Sequence, residues 1–308
     1  MARLVPQPET PARAEPWARV VIGKPGPAIE PAPPKGYGPG LAWCPDTECD
    51  GWSTAQLTLR SASVRGDGHR YYRQPRQDAT VAVVHDATGA VLFAVADGVS
   101  AATHGQTGAS VACQAAVHSM SAMLDSGLPL DVGAVARRAA RDLRHHAASL
   151  LGVPAVEPAQ AERLLATTLV AGAARPDPDG IAVSLFRIGD SGAWLLDVPR
   201  GRYYPLFGSK ADASAVIVSG EVSPLPRVPD PIEQASGQLT DGLVLLVATD
   251  GFGDPLGAGT GEVGQLFARA LSAAPPPLRL AQLLDFSRET FDDDRTLLGL
   301  WPRGGGMR

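Results

Sequence analysis

The stretch Thr80-Val-Ala-Val-Val-His85-Asp86-Ala-Thr-Gly89-Ala90-Val-Leu-Phe-Ala-Val-Ala96-Asp97-Gly98 decides how this chain is read. Two short runs rich in Val flank a turn at Asp86 to Gly89, which predicts a β-hairpin. The second run leaves the core at Asp97-Gly98. The same ending recurs at Ile181 to Ile188 followed by Gly189-Asp190-Ser191, and at Leu243 to Thr249 followed by Asp250-Gly251. An apolar run of this length predicts a buried strand, so each carboxylate sits where the backbone emerges from the core. Several such exits on one sheet edge would gather carboxylates, which repel one another unless a cation lies between them. All-oxygen donors on rigid strands point to hard divalent ions.

Outward from the hairpin, Leu57 to Val64 alternates as a half-buried strand does, and Thr167 to Ala173, Ala193 to Val198 and Thr296 to Trp301 predict further strands. The Ala-rich, Pro-free run Gly105 to Leu124 and the run Val132 to Leu151, closed by Gly152, predict two helices; Glu262 to Leu271 and Leu278 to Thr290 predict two more. The order of strands, two helices, strands, two helices and one strand fits an α+β sandwich of antiparallel sheets. Alternating β-α-β units would place a helix between most strands. Residues 1–54 are rich in Pro, Gly and Ala and predict a partly disordered tail, with Trp17, Trp43 and Trp52 as docking points; residues 55–303 carry the folded part.

Composition narrows the function. The chain has 308 residues, 44% of them hydrophobic, enough for a large core. A net charge of -5 argues against a broad basic surface for nucleic acid or anionic lipid. The apolar runs fall short of the ~20 residues a membrane helix needs, and the Pro-broken start lacks a secretory segment, so a cytoplasmic location is expected. Three cysteines predict no disulfide framework, and Cys44 and Cys49 lack a second pair to complete a zinc site. His145 and His146 are expected on the surface of an Arg-rich helix, and His118 in the core.

An Asp-Gly pair after a strand is on its own a turn signal, because Asp bonds its own backbone and Gly accepts positive φ. The ordered set carries more. Arg73-Gln-Pro-Arg-Gln77-Asp78, Asp97-Gly98, Thr167-Thr168-Leu169, Gly189-Asp190-Ser191, Asp250-Gly251-Phe-Gly-Asp254 and Asp292-Asp293-Asp294-Arg295-Thr296 follow one another in a sequence that resembles the metal-dependent Ser/Thr protein phosphatases of type 2C. The resemblance spans Gln56 to Trp301.

It implies a four-layer α-β-β-α sandwich, two antiparallel sheets flanked by helices, and a centre with two or three Mg²⁺ or Mn²⁺ ions. Asp97 would bridge two ions with the Gly98 carbonyl as a further ligand, Asp250 and Asp293 would complete a shell, and Asp78 would hold bound water. Asp190 and Asp254, with Asp250, match positions for a third, weaker ion. Arg73, four residues before Gln77, matches the phosphate-clamping arginine, with Arg76 as the alternative. A dimetal pair lowers the pKa of a shared water and aims it at a phosphoester, and a guanidinium offsets charge on the transferring phosphoryl group. The implied substrate is a phosphoprotein, with a Ser/Thr kinase as a further partner, acted on by a monomer with no nucleic-acid or membrane partner.

The chain departs from the family pattern in three places. Gln77 stands where an acid is common. Val99-Ser-Ala-Ala-Thr-His104-Gly105 replaces His-Gly-Gly after the bridging pair, leaving His104 or His69 as substitutes for the general acid. Asp293-Asp294 replaces Asp-Asn, so the ligand register among Asp292, Asp293 and Asp294 stays open. Two further readings compete: a catalytically weak pseudo-phosphatase that binds a phosphoprotein or kinase, and a hydrolase of small phosphoesters on the same scaffold.

Overall fold

The computed structural model describes residues 18–34, 44–208 and 223–303; Trp17, Trp43 and most of the segment between Gly208 and Ser223 lie outside them. A six-stranded sheet runs in the order β1 (Thr47–Ser53), β2 (Leu57–Val64), β11 (Arg295–Pro302), β10 (Leu243–Ala248), β7 (Gly192–Asp197), β8 (Arg202–Pro205). A five-stranded sheet runs β3 (Asp78–His85), β4 (Ala90–Asp97), β5 (Leu169–Asp177), β6 (Gly180–Ile188), β9 (Glu233–Leu239). Every pairing between these strands is antiparallel.

The unbroken apolar run of β4 has a direct structural cause. Successive side chains point to opposite faces of a strand. Val91, Phe93 and Val95 enter the layer between the sheets, while Leu92, Ala94 and Ala96 enter the layer beneath the helices. Both faces are covered, so neither admits polar residues. Helices α2 (Gly105–Asp125), α3 (Val132–Leu151) and α4 (Pro158–Leu165) cover the five-stranded sheet, with Ala112, Cys113 and Ala116 of α2 buried at the contact. Helices α5 (Asp250–Leu256), α6 (Glu262–Ala270) and α7 (Pro277–Leu284) cover the six-stranded sheet. The result is the four-layer α-β-β-α sandwich. Helix α3 begins at Asp131, whose side chain accepts from the Ala134 N–H at 3.0 Å, and ends at Gly152 with φ 65°.

Several elements differ from the sequence reading. The segment predicted as tail contains β1, which pairs along its whole length with β2 and so moves the start of the sheet to Thr47. Residues 18–34 form a strap: Ile22 N–H donates to Ser287 O at 3.1 Å, Ser287 N–H to Val20 O at 2.7 Å, and Glu289 N–H to Lys24 O at 2.8 Å. This pairing ends the last helix at Leu284 instead of Thr290, because the backbone of 285–289 turns outward to the strap. The short helix α1 (Asp67–Tyr72) and the strands β8 and β9 were too brief or too polar to show periodicity. His118 is exposed, since α2 packs through its Ala face instead. Among the described residues no helix is long and apolar enough to cross a membrane.

Beneath the six-stranded sheet an aromatic ladder joins the elements that carry the acidic motifs. Phe267 sits between Phe252 of α5 and Phe286, with ring centroids 4.9 Å and 6.1 Å away, and the Arg295 guanidinium lies 3.9 Å from the Phe286 centroid. Phe267 is fully buried. Phe267→Ala is expected to cost about 3–5 kcal/mol in guanidinium-chloride unfolding; a loss under about 1 kcal/mol would show that the ladder does not hold α5 in place.

Candidate metal centre

Four strand exits converge. Asp78 and Asp97 are cross-strand partners at the open end of the β3–β4 hairpin. Asp250 opens α5 immediately after β10, and Asp293 lies just before β11, which pairs with β10. The two sheets therefore deliver their acidic ends to one edge of the sandwich. A cavity of about 200 Å³ opens there, lined by Asp250, Gly251, Asp254, Phe291, Asp292 and Asp293.

Hydroxyl groups fix the backbone around each acid. Thr168 Oγ1 accepts from the Asp97 N–H at 2.9 Å and meets Ser191 Oγ at 2.8 Å, while Thr167 Oγ1 donates to the Asp97 carbonyl at 2.8 Å. Thr249 Oγ1 donates to Asp78 Oδ2 at 2.8 Å and accepts from the Thr296 N–H at 3.1 Å. Ser63 Oγ lies 2.5 Å from Thr296 Oγ1. Arg76 is buried beneath the site, donating to Ser63 Oγ and to the Asp78 carbonyl and pairing with Glu48. Two glycines let the 292–294 segment pass: a Cβ on Gly251 would overlap the Asp294 carbonyl oxygen, and one on Gly66 would overlap the Asp292 and Asp293 carbonyls. Gly98 packs its backbone against Gly105 and donates to the Gln77 carbonyl at 3.2 Å.

The electrostatics are those of carboxylates crowded with little counter-charge, His69 being the cation that acts on Asp293. Burial, then Asp294, pushes Asp78 up to about 8 from its ordinary 3.8, although bonds from Thr296 and Thr249 pull the other way. Burial and then Asp78, Asp250 and Asp293 raise Asp97 well above its ordinary range. Burial and the charges of Asp190, Asp293 and Asp254 push Asp250 up to about 6, although a side-chain hydrogen bond with Asp97 pulls the other way. Asp293 is raised by loss of surrounding water and by Asp294. Asp190 and Asp254 act on Asp250 from outside this group, and Asp254 is exposed.

The three consecutive acids have different surroundings. Asp294 is buried; its Oδ1 accepts from the Gly66 N–H at 2.7 Å and its Oδ2 from the Gln77 N–H at 2.5 Å, with His69 Nδ1 at 2.8 Å. Both its oxygens hold the fold together, so the trio of His69, Asp293 and Asp294 reads as an ion pair with a neighbour, not a separate metal site. Asp293 alone of the three raises Asp78, Asp97 and Asp250 together. Asp292 and Asp293 are both exposed at the mouth. Burial by itself would lower the His69 pKa, but the neighbouring Asp294, Asp293 and Asp78 outweigh it and raise it. His104 lies near His146, whose pKa is lowered first by burial and then by His104. Arg73 caps α1 with φ 60°, is exposed, and donates through Nε to the Pro33 carbonyl of the strap at 3.0 Å; among the described residues it makes no ion pair.

The sequence reading passed over Thr249, Ser63, Ser191 and the structural role of Asp294. Thr249 was legible as a hydroxyl one residue before the acid; the others become visible only when β2 pairs with β11 and Ser191 meets Thr168 across the fold.

The donor set fits a hard divalent cation. Asp78 Oδ1 and Asp250 Oδ1 are buried with no hydrogen-bond partner, and a buried carboxylate oxygen in that state is costly unless something positive meets it. Oxygen donors alone suit Mg²⁺ or Mn²⁺ better than zinc.

The protein phosphatase 2C family model matches residues 65–285. The chain belongs to the protein phosphatase 2C family. The match includes Asp78, Asp97, Asp190, Asp250 and Asp254 and stops before Asp293. No curated protein matches the chain. Solved phosphatase 2C-like structures share the fold: the catalytic domain of the phosphatase PstP with two manganese ions is 18% identical with a TM-score of 0.51, covering 80% of this chain and 98% of that one. PppA, a regulatory component of the type VI secretion system in Pseudomonas aeruginosa, is 20% identical with a TM-score of 0.52, covering 80% and 98%. RsbX in complex with magnesium is 12% identical with a TM-score of 0.51, covering 83% and 100%.

Two predictions follow from this geometry. Gly251→Ala forces the Asp293-Asp294 backbone away, and calorimetric titration should show Mn²⁺ affinity reduced about 10–100-fold, as for loss of a ligand's supporting contact; unchanged affinity would mean the close approach is not what sets the site. Asp78 and Asp250, with pKa values near 8 and 6 when folded and 3.8 as the ordinary value, hold protons in the folded, metal-free protein that the unfolded chain has already released. Stability of that form therefore falls as pH rises from about 4 towards 8. Metal needs the deprotonated acids, so Mn²⁺ should raise the melting temperature more at pH 8 than at pH 5. Scanning calorimetry showing an equal Mn²⁺ effect at both pH values would contradict this.

Proposed function

We propose that this phosphatase 2C protein hydrolyses phosphoserine and phosphothreonine in proteins, and that Asp78, Asp97, Gly98, Asp250 and Asp293 hold its Mg²⁺ or Mn²⁺ ions. The observation that carries the reading is the pair of partnerless buried oxygens, Asp78 Oδ1 and Asp250 Oδ1, among four crowded carboxylates. When bound there, the ions would supply an activated water as nucleophile and Lewis-acid stabilisation of the phosphoryl oxygens.

The protein's own residues supply the rest. Asp97 stands centrally, since Asp78, Asp250, Asp293 and Asp294 all raise its pKa. Thr249 orients Asp78 and Thr168 holds the Asp97 backbone. His69, its pKa raised by the surrounding acids, offsets the charge of Asp294 and so keeps Asp293 in register. Asp190 and Asp254 beside Asp250 are the proposed holders of a third ion. Arg73 is the proposed phosphate-binding guanidinium: Pro33 takes its Nε, and the terminal nitrogens stay available for a bidentate hold on phosphate. The catalytic unit proposed here runs through residues 55–303 with β1 added, acting as a cytoplasmic monomer on a phosphoprotein and, by the same reading, opposite a Ser/Thr kinase.

Purified protein should release phosphate from a phosphothreonine peptide only with Mn²⁺ or Mg²⁺ added. Asp97→Asn should lower kcat/KM at least about 100-fold, beyond the loss seen for supporting residues, and Thr249→Val about 10–100-fold with partial rescue by excess Mn²⁺. Tight peptide binding without phosphate release would instead identify a pseudo-phosphatase, and full activity of Asp97→Asn would remove Asp97 from the centre.

A further inference from the structure

A second cavity, of about 300 Å³, adjoins the acidic one. The two share Thr290 and Asp292 in their walls. Its far walls are Pro27 and Ile29 of the strap, Tyr71 and Tyr72 of α1, and Arg288. None of these belongs to the carboxylate group.

Three independent observations mark this cleft as a recognition surface. First, Tyr71 and Tyr72 are each 66% exposed, stacked edge to face with centroids 5.0 Å apart. Two large rings left side by side in water beside a cavity form an apolar platform with polar tips. Second, Arg288 makes no ion pair among the described residues. Its guanidinium lies 5.3 Å from the ring centroid of Phe291, which itself lines the acidic cavity. The other charges of the cleft are differently placed: Asp67 is neutralised by Arg19 at 2.8 Å and Arg70 at 3.3 Å, and Asp292 lines both cavities with its carboxylate against Gly68, on the α1 side of the cleft. Third, Thr290 adopts φ 70°, where a β-branched residue is a genuine outlier. Strain of this kind persists only where surrounding structure imposes it, and it clusters at ligand-contacting positions. Here it lies on the threshold between the two cavities.

We propose that this cleft is the bed for the polypeptide flanking the phosphorylated residue of the substrate. It is built for a segment carrying an aromatic or large aliphatic side chain against Tyr71 and Tyr72 and an acidic side chain for Arg288. The proposal rests on the phosphatase reading of the adjoining centre and adds the specificity of that centre. Continuity supports one occupant spanning both cavities: a phosphorylated side chain in the acidic one places its own backbone at Thr290 and its neighbours on the tyrosines. The volume suits a side chain or two, not a folded surface, and the unpaired guanidinium favours an acid over a base. The strap makes the cleft, since without Pro27 and Ile29 it would be an open shelf.

The test compares selectivity. Three substrates are used: a phosphothreonine peptide with Tyr and Glu within a few residues of the phosphothreonine, the same peptide with Lys replacing Glu, and p-nitrophenyl phosphate, which has no flanking chain. The wild type should favour the Glu over the Lys peptide, and Arg288→Glu should lower the ratio of Glu-peptide to p-nitrophenyl phosphate kcat/KM about tenfold while raising the Lys-peptide ratio, as a charged hydrogen bond lost and regained would. Tyr71→Ala/Tyr72→Ala should lower both peptide ratios through KM. Arg288→Lys, which retains the charge, keeps the Glu preference if the loop is intact. Ratios unmoved by Arg288→Glu, or peptides with and without Glu hydrolysed equally, would overturn the proposal. Fluorescence anisotropy of the peptides on Asp97→Asn protein separates it from the phosphatase reading: Glu-peptide binding lost in Asp97→Asn/Arg288→Glu supports the cleft even where turnover is absent, whereas a wild type inert towards all three substrates would sink the phosphatase reading alone.

Discussion

Repulsion among Asp78, Asp97, Asp250 and Asp293 is the constraint on which the rest of this structure depends. Asp293 raises the pKa of the other three and Asp78 and Asp250 raise that of Asp97, a hydrogen bond between Asp97 and Asp250 relieving only part of the crowding, and two of the oxygens are buried with no donor to meet them. Such an arrangement costs stability in the absence of cations and becomes favourable when a divalent ion takes up the lone pairs. The fold is what keeps the acids together against that force: the cross-strand pair Asp78–Asp97 is pinned by the β3–β4 ladder, and Asp250 and Asp293 by the β10–β11 ladder.

Holding two sheets in register at one edge takes more than the apolar layer between them. The contacts that cross from one acidic motif to another are small and polar: Thr249 to Asp78, Thr168 to Asp97, Asp294 to Gly66 and Gln77. Gly66 and Gly251 matter for the same reason, because the 292–294 segment lies in van der Waals contact with their backbones. Arg76 and His69 supply positive charge beneath the centre without entering it, so the site keeps its negative face for metal while its supports stay neutralised.

The sequence made much of this legible. β4 and β10 are apolar on both faces, and their Asp-Gly exits are visible without coordinates. The helix α3 carries its own start and stop signals in Asp131 and Gly152. What escaped reading had no periodic signal. The strap at 18–34 is Pro- and Gly-rich like a disordered tail, yet Ile22 is buried and the strap's backbone pairs with residues 287–289; such pairing depends on a partner 265 residues away in the chain, and propensity is blind to it. Similarly, the different environments of Asp292, Asp293 and Asp294 come from the neighbours Gly66, Gln77 and His69, which no local pattern specifies. His118 was misplaced because α2 is apolar enough to offer two plausible faces, and the sheet selected the one made of alanines.

The most direct test is crystallographic. Crystals of the full chain grown with Mn²⁺ and measured at the manganese absorption edge should show anomalous density for at least two ions contacting Asp97, with Asp78, Asp250 and Asp293 around them and Asp294 still bound to the Gly66 and Gln77 amides. Density only beside His69 and Asp294, or at Cys44 and Cys49, or none at the edge where the two sheets end, would contradict the account.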